Sequence, residues 1–145
     1  MRIICVTRLR LRSIRFLPSL YWKTRKLRQS LEKAPGFLMG KLLADRGRAF
    51  WTMSMWEDLD SMRAFRNSRA HAATMPNAAR WCDEASFVHW ETQADELPDW
   101  DEAHRRMSES GKPSPLRFRS EDYNARRYTR PYMNSHNSVV VLPRK

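Results

Sequence analysis

The sequence predicts one α+β domain with the element order β-α-β-β-α-β, followed by a C-terminal arm. Three observations carry that expectation. The run Ile3-Ile4-Cys5-Val6 is apolar at consecutive positions, as in a strand buried on both faces. Phe37–Ala44 and Ala49–Trp56 flank the turn-forming Asp45-Arg46-Gly47-Arg48 and so read as a hairpin. Two other stretches carry apolar residues at three- and four-residue steps, the spacing that lines one side of a helix.

In the first strand, Thr7–Arg12 alternates, with Leu9 and Leu11 on one face and Arg8, Arg10 and Arg12 on the other. Burial is therefore expected on both faces at its start and on one face later. The first helix shows Leu17, Leu20, Tyr21, Thr24, Leu27 and Leu31 on one side and extends to Lys33. Pro18 falls in its first turn, where the missing N–H does no harm, and Ala34-Pro35-Gly36 ends it. After the hairpin, Glu57-Asp58-Leu59-Asp60 puts carboxylates at a helix start, facing the free N–H groups and the positive dipole end. Met62, Ala64 and Phe65 supply that helix's apolar content. A second helical piece, Arg69–Cys82, contains Pro76, which predicts a break or kink near Met75. Ala85–Thr92 is the unit's last strand.

Two βαβ halves sharing a four-stranded antiparallel sheet, with both helices on one face, make the ferredoxin-like arrangement. The opposite face then needs cover. Trp51, Met53 and Met55 alternate with Phe50, Thr52, Ser54 and Trp56, so both faces of the third strand carry apolar side chains. A second subunit is the simplest cover, which predicts a homodimer.

The domain is expected over residues 1–94, with a helix and a basic arm over 95–145. Asp99 caps the arm's helix, Trp100–Ser110, and Gly111–Pro115 reads as a linker. The tail beyond mixes Arg with Phe118, Tyr123, Tyr128 and Tyr132 and ends in a short strand, Val139–Leu142. Such a tail can wrap a neighbouring subunit or stay partly disordered.

Charge is arranged in three blocks. Residues 1–48 hold 13 Lys and Arg against 2 Asp and Glu, residues 49–111 hold 6 against 12, and residues 112–145 hold 8 against 2. The net charge of +11, so unevenly placed, can serve nucleic acid, an anionic ligand, an anionic membrane surface or internal pairing of a basic helix with an acidic one. Nucleic-acid binding rests on composition alone, since no recognised binding motif accompanies it. Cys5 and Cys82 lack a metal-ligand or redox spacing, which points to a reduced, cytoplasmic setting. No apolar run approaches the roughly 20 residues of a membrane span. Glycine-rich phosphate loops, nucleophile elbows and His-Glu-x-x-His are absent, so neither cofactor nor metal is expected from motifs.

The segment from Thr52 through Trp56, Glu57-Asp58, Met62 and Phe65, with His71 six residues on, resembles the strand-helix signature of the dimeric α/β-barrel superfamily. Antibiotic-biosynthesis-monooxygenase-like and spheroidene-monooxygenase-like proteins belong to that group. Pro35-Gly36-Phe37, Arg80-Trp81-Cys82-Asp83 and His89-Trp90 extend the likeness over Ile3–Thr92. The resemblance implies a pocket between helices and sheet that takes a small or elongated apolar molecule, aromatic or isoprenoid, for cofactor-free oxygenation. It also leaves haem binding as an alternative. Against related haem-degrading barrels, Ser68 stands for their pocket Trp and Met75 for their ligating His, so His71 would have to ligate from a different turn.

His71 is the candidate catalytic residue, because an imidazole can move a proton near neutral pH. Trp51, Trp56 and Trp81 are the candidate pocket walls, joined by Phe65, Met75 and His89. Large aromatics at such spacings usually pack in a core. His89 and Glu91 share one face of the last strand, and His89 beside Asp83 could form an oriented imidazole pair. His104 and His136 form no ligand spacing with them. With no complete catalytic constellation in the sequence, a non-catalytic binding or assembly module is the second reading.

Overall fold

The structure, a computed structural model, describes residues 1–134 and 136–144, apart from the side chains of Ala70, Ala73, Thr74 and Met75. The elements are β1 (Arg2–Leu11), α1 (Leu17–Glu32), β2 (Phe37–Ala44), β3 (Ala49–Trp56), α2 (Leu59–Arg66), α3 (Arg69–Trp81), β4 (Cys82–Thr92), α4 (Trp100–Ser110), β5 (Lys112–Pro113), α5 (Glu121–Asn124) and β6 (Ser138–Val141). The strands form one sheet in the order β5-β4-β1-β3-β2-β6. Its central four have the ferredoxin-like order, and every pairing is antiparallel.

The sheet has six strands where four are expected, because the arm adds one at each edge. The anticipated linker supplies β5, which pairs with Ser86 and Phe87, and β6 pairs with β2. An edge strand left unpaired exposes a row of N–H and C=O groups, and both additions cap such a row.

Local chemistry sets the helix boundaries. The Asp58 side chain accepts from the Ser61 N–H at 2.7 Å and starts α2, and Asp99 accepts from the Glu102 N–H at 2.8 Å and starts α4. The interruption of the second helical region falls at Asn67, where Ser68 caps α3. The helix α3 then runs through Pro76 to Trp81. Proline there removes one N–H donor but leaves the helix continuous, so no break falls near Met75, and the one interruption is the Ser68 cap that separates the two helical pieces. Gly36, at φ +81, turns the chain from α1 into β2.

Strand register sorts the side chains. Ile3, Cys5, Thr7, Leu9 and Leu11 face α1, α2 and α3, together with Trp56, Ser54, Thr52, Phe87 and His89. Ile4, Val6 and Arg8 face the other way, with Trp51, Met53, Met55 and Val88. That second face is covered from within the chain. Trp100, Ala103 and Met107 of α4 pack on Ile4, Trp51, Met53 and Val88 in one buried cluster. Trp51 meets Trp100 edge to face at 6.5 Å, and His104 Nε2 lies 2.7 Å from the Tyr128 carbonyl, tying α4 to the tail.

The charge blocks pair selectively. Arg130 of the basic tail forks onto Asp101 of acidic α4 at 2.9 and 3.1 Å. In α1, Arg28 pairs with Glu32 at 3.2 Å, while Lys23, Arg25 and Lys26 make no ion pair among the described residues.

Candidate functional site

The helix-facing side of the sheet carries polar side chains at its middle and aromatics at one end. Cys5 lies opposite both Ser54 and His89, and Thr7 lies opposite Thr52 and Phe87. Cys5, Thr7, Thr52, Phe87 and His89 are only half-buried, whereas Ile3, Trp56 and Leu11 at the strand ends are fully covered. The helix layer therefore covers Ser54 as well as Ile3, Trp56 and Leu11, and leaves Cys5, Thr7, Thr52, Phe87 and His89 partly accessible.

One wall of this opening is an aromatic ladder. Trp56 packs against Phe65 at 5.4 Å between ring centres, and Phe65 meets the His71 imidazole edge to face at 5.8 Å. The Trp56 indole is fixed by donating Nε1–H to Ser54 Oγ at 2.9 Å. Helix geometry explains the ladder: Met62 and Phe65 fall one turn apart on α2, and the Ser68 cap restarts the chain so that His71 follows in the first turn of α3.

His71 is half-buried, and its Nδ1 is buried without a hydrogen-bond partner. Burial holds its pKa below the ordinary value of 6.5, the Arg66 guanidinium adds to the depression, and a hydrogen bond to the Arg66 backbone opposes it. The imidazole is thus neutral at neutral pH, the state able to accept a proton. Arg66 also lies over the Phe87 ring at 4.3 Å. Its charge joins Lys112 and Arg63, after burial, in lowering the His89 pKa. Burial raises the Cys5 thiol to about 11 despite Arg66, so Cys5 is a neutral thiol.

Of the residues singled out from sequence, Trp56, Phe65, His71 and His89 share this face. Trp51 does not: its strand parity puts it on the opposite face, 1 % exposed and under α4. Trp81 packs at the far end of the helix layer with Leu11, Leu20 and Tyr123, stacked on Phe16 at 6.3 Å. The Met75 side chain lies outside the described residues. The His89–Asp83 pair is not formed, because Asp83 stands near the start of β4, 3.7 Å from Arg10. Arg66 escaped notice in the sequence, although its place one residue after Phe65 at the end of an amphipathic helix is a usable signal. Among the described residues, no three His, Cys, Asp or Glu side chains converge to hold a metal ion.

A family model described as Domain of unknown function (DUF3291) matches residues 21–128. Solved structures are similar in fold. SnoaB, a cofactor-independent oxygenase from Streptomyces nogalater, gives a TM-score of 0.56 at 14% identity, covering 68% of this chain and 98% of its own. An antibiotic biosynthesis monooxygenase gives 0.57 at 12% identity, with 63% and 99% covered. A protein from Mycobacterium tuberculosis gives 0.60 at 8% identity, with 67% and 100% covered. Identities this low establish the monooxygenase-like fold and no chemistry. These neighbours are spanned almost whole, and the remainder of this chain is additional to them. No curated protein sequence matches the chain.

Proposed function

We propose, from the premise that the chain belongs to the DUF3291 family and has a monooxygenase-like fold, that it binds a small or elongated apolar molecule over the partly accessible residues on the helix-facing side of its sheet and oxygenates it. The observation that carries this reading is the half-buried, neutral His71 imidazole at the end of the Trp56–Phe65 ladder. An aromatic or isoprenoid substrate with an ionisable O–H would lie on the ladder and give its proton to the neutral, half-buried His71 imidazole. The Arg66 cation beside the imidazole then favours the resulting anion, the electron-rich form that dioxygen can oxidise directly, one oxygen atom forming a new C=O on the substrate and the other leaving as water with the two hydrogens that carbon loses.

Two further expectations belong to the same proposal. A cytoplasmic setting suits Cys5 and Cys82, both free thiols, and among the described residues no helix is long and apolar enough to cross a membrane. The homodimer implied by the resemblance carries a physical condition: α4 fills the sheet's second face, so two subunits can appose those faces only with α4 displaced.

The test is oxygen uptake by the purified chain across a panel of hydroxylated aromatics and isoprenoids, with His71→Ala in parallel. The expected result is substrate-dependent uptake that falls roughly 100-fold in the variant, the contribution of a positioned base. The rate should rise with pH to a plateau, with its half-point below 6.5, because only the neutral imidazole accepts the proton. Co-purification of an apolar molecule without oxygen uptake would identify a binding module instead. A Soret band formed with haemin and lost in His71→Ala would reassign the imidazole to haem ligation. Neither ligand retention nor uptake, with His71→Ala unchanged, would sink the proposal.

A further inference from the structure

The opposite face of the sheet holds a second, chemically different space. Where β1 passes beyond the cover of α4, a cavity of about 610 Å³ opens between the strand ends, the β2–β3 turn and the tail. Four arginines line it, Arg8, Arg10, Arg46 and Arg130, against three carboxylates, Asp45, Glu84 and Asp122. The carboxylates are already engaged. Asp45 accepts from the Trp51 indole at 3.0 Å and from the Tyr132 and Arg46 backbone N–H groups at 2.9 and 2.7 Å. Glu84 accepts from Arg8 at 2.5 Å and from the Ser120 hydroxyl at 2.8 Å, and Asp122 accepts from Arg127 at 3.1 Å.

The arginines are not satisfied to the same extent. Arg8 is 6 % exposed, and its Nε is buried without a partner. A guanidinium N–H in that state lacks both water and acceptor, which a native interior seldom tolerates. Arg10 stands 3.7 Å from both Asp83 and Glu84, beyond hydrogen-bond reach, and its Nε donates to the Gly47 carbonyl at 3.2 Å. The Arg46 guanidinium carbon lies over the Tyr132 ring, 3.6 Å from its centre, and, among the described residues, Arg46 has no carboxylate at ion-pair distance. A cation over an aromatic ring is attracted by the ring face without using up its N–H donors. Arg130 is spent on Asp101 and Arg8 has committed one terminal nitrogen to Glu84, so the donors left to a ligand are chiefly those of Arg10 and Arg46, with the unpartnered Nε of Arg8 behind them.

We propose that this cavity is a binding site for the oxyanion end of a small organic anion, a phosphate monoester or a carboxylate, held by Arg8, Arg10 and Arg46. Planar donor forks suit the paired oxygens of either group, and Tyr132 offers an aromatic wall to the body of the molecule. The site uses the even-numbered side of β1, so it is separated by the thickness of the sheet from the His71 face and stands independently of the oxygenation reading.

The experiment titrates sodium phosphate and, separately, sodium succinate into the full-length chain, following the melting temperature and the heat of binding against sodium chloride at equal ionic strength. A saturable rise with either oxyanion and none with chloride is expected, since a ligand that binds only the folded state raises its melting point. Preference for phosphate or for succinate assigns the source. Arg46→Ala and Arg10→Gln should each weaken binding by about tenfold or more, the worth of a charge-assisted hydrogen bond, while Arg117→Ala, outside the cavity, should not. No rise beyond that in chloride, or a rise that survives both cavity variants or falls equally in Arg117→Ala, overturns the proposal.

Discussion

Arg8 and Glu84 are each left with 6% of their side-chain surface exposed, pair at 2.5 Å, and stand opposite neighbouring positions of β1 and β4. A buried pair of this kind adds little net stability, because desolvation offsets the attraction, but removing one partner strands the other charge in a poorly solvated place. Arg8→Met alone is therefore expected to lower stability by about 3 kcal/mol or more in urea unfolding, whereas Arg8→Met with Glu84→Gln should recover much of that loss. Equal losses in the single and double variants would contradict it. Alternation in Thr7–Arg12 located this strand correctly but assigned its arginine side to solvent. Sequence periodicity reports which residues share a face, while whether a face is wet depends on a carboxylate 76 positions away and on the tail that closes over it. The same limit applies to Trp51 and Trp56: their odd spacing already put them on opposite faces, and only Trp56 reaches the His71 side.

Helix α2 shows how a turn can position a site. Gly36, at φ +81, ends the α1–β2 connection against α2, and a Cβ there would meet Ser61 Oγ and Cβ at 2.3 and 2.4 Å. Its backbone also closes onto the strand end, since the Glu57 N–H donates to the Gly36 carbonyl at 2.9 Å. Gly36→Ala carries two penalties, a positive φ that L-residues resist and an overlap that pushes α2 outward, and should cost more than about 1 kcal/mol. Adding Ser61→Gly relieves the overlap but not the φ, so the double variant should recover part of the loss in denaturant unfolding; no recovery would locate the whole effect in the backbone. Because α2 carries Phe65 and Arg66, Gly36→Ala should also disturb the His71 ladder. At this scale much was legible, since the acids before α2, Pro35-Gly36 and the hairpin turn are local signals. The uninterrupted α3 was not, because tolerance of an internal proline depends on what the freed carbonyl and the helix flank pack against.

At the scale of the whole molecule, α4 of the arm packs on the sheet's apolar second face from within the chain. Two apolar faces cannot both stay in water, which is why the sequence calls for cover on the second face; that α4 supplies cover was not legible, because its sequence reads as a polar helix. Its core stripe is just Trp100, Ala103 and Met107, surrounded by Arg105 and Arg106 in pairs with Glu102 and Glu109. Three residues at three- and four-residue steps suffice because Trp51, Met53 and Val88 provide the rest of the contact. Removing the arm uncovers Ile4, Val6, Trp51, Met53, Met55 and Val88 together, an apolar surface of the kind that drives self-association. A chain ending at residue 94 should therefore associate into dimers or larger species in light scattering, while the full-length chain should not associate through this face. Trp100→Ala with Met107→Ala, which keeps the arm but removes its apolar contacts, should shift the full-length chain the same way. If the full-length chain is a dimer whose α4 amides lose their hydrogen-exchange protection only on dilution to monomer, α4 is itself part of the subunit contact; if they exchange freely within the dimer, the helix has left the sheet and the two faces meet directly.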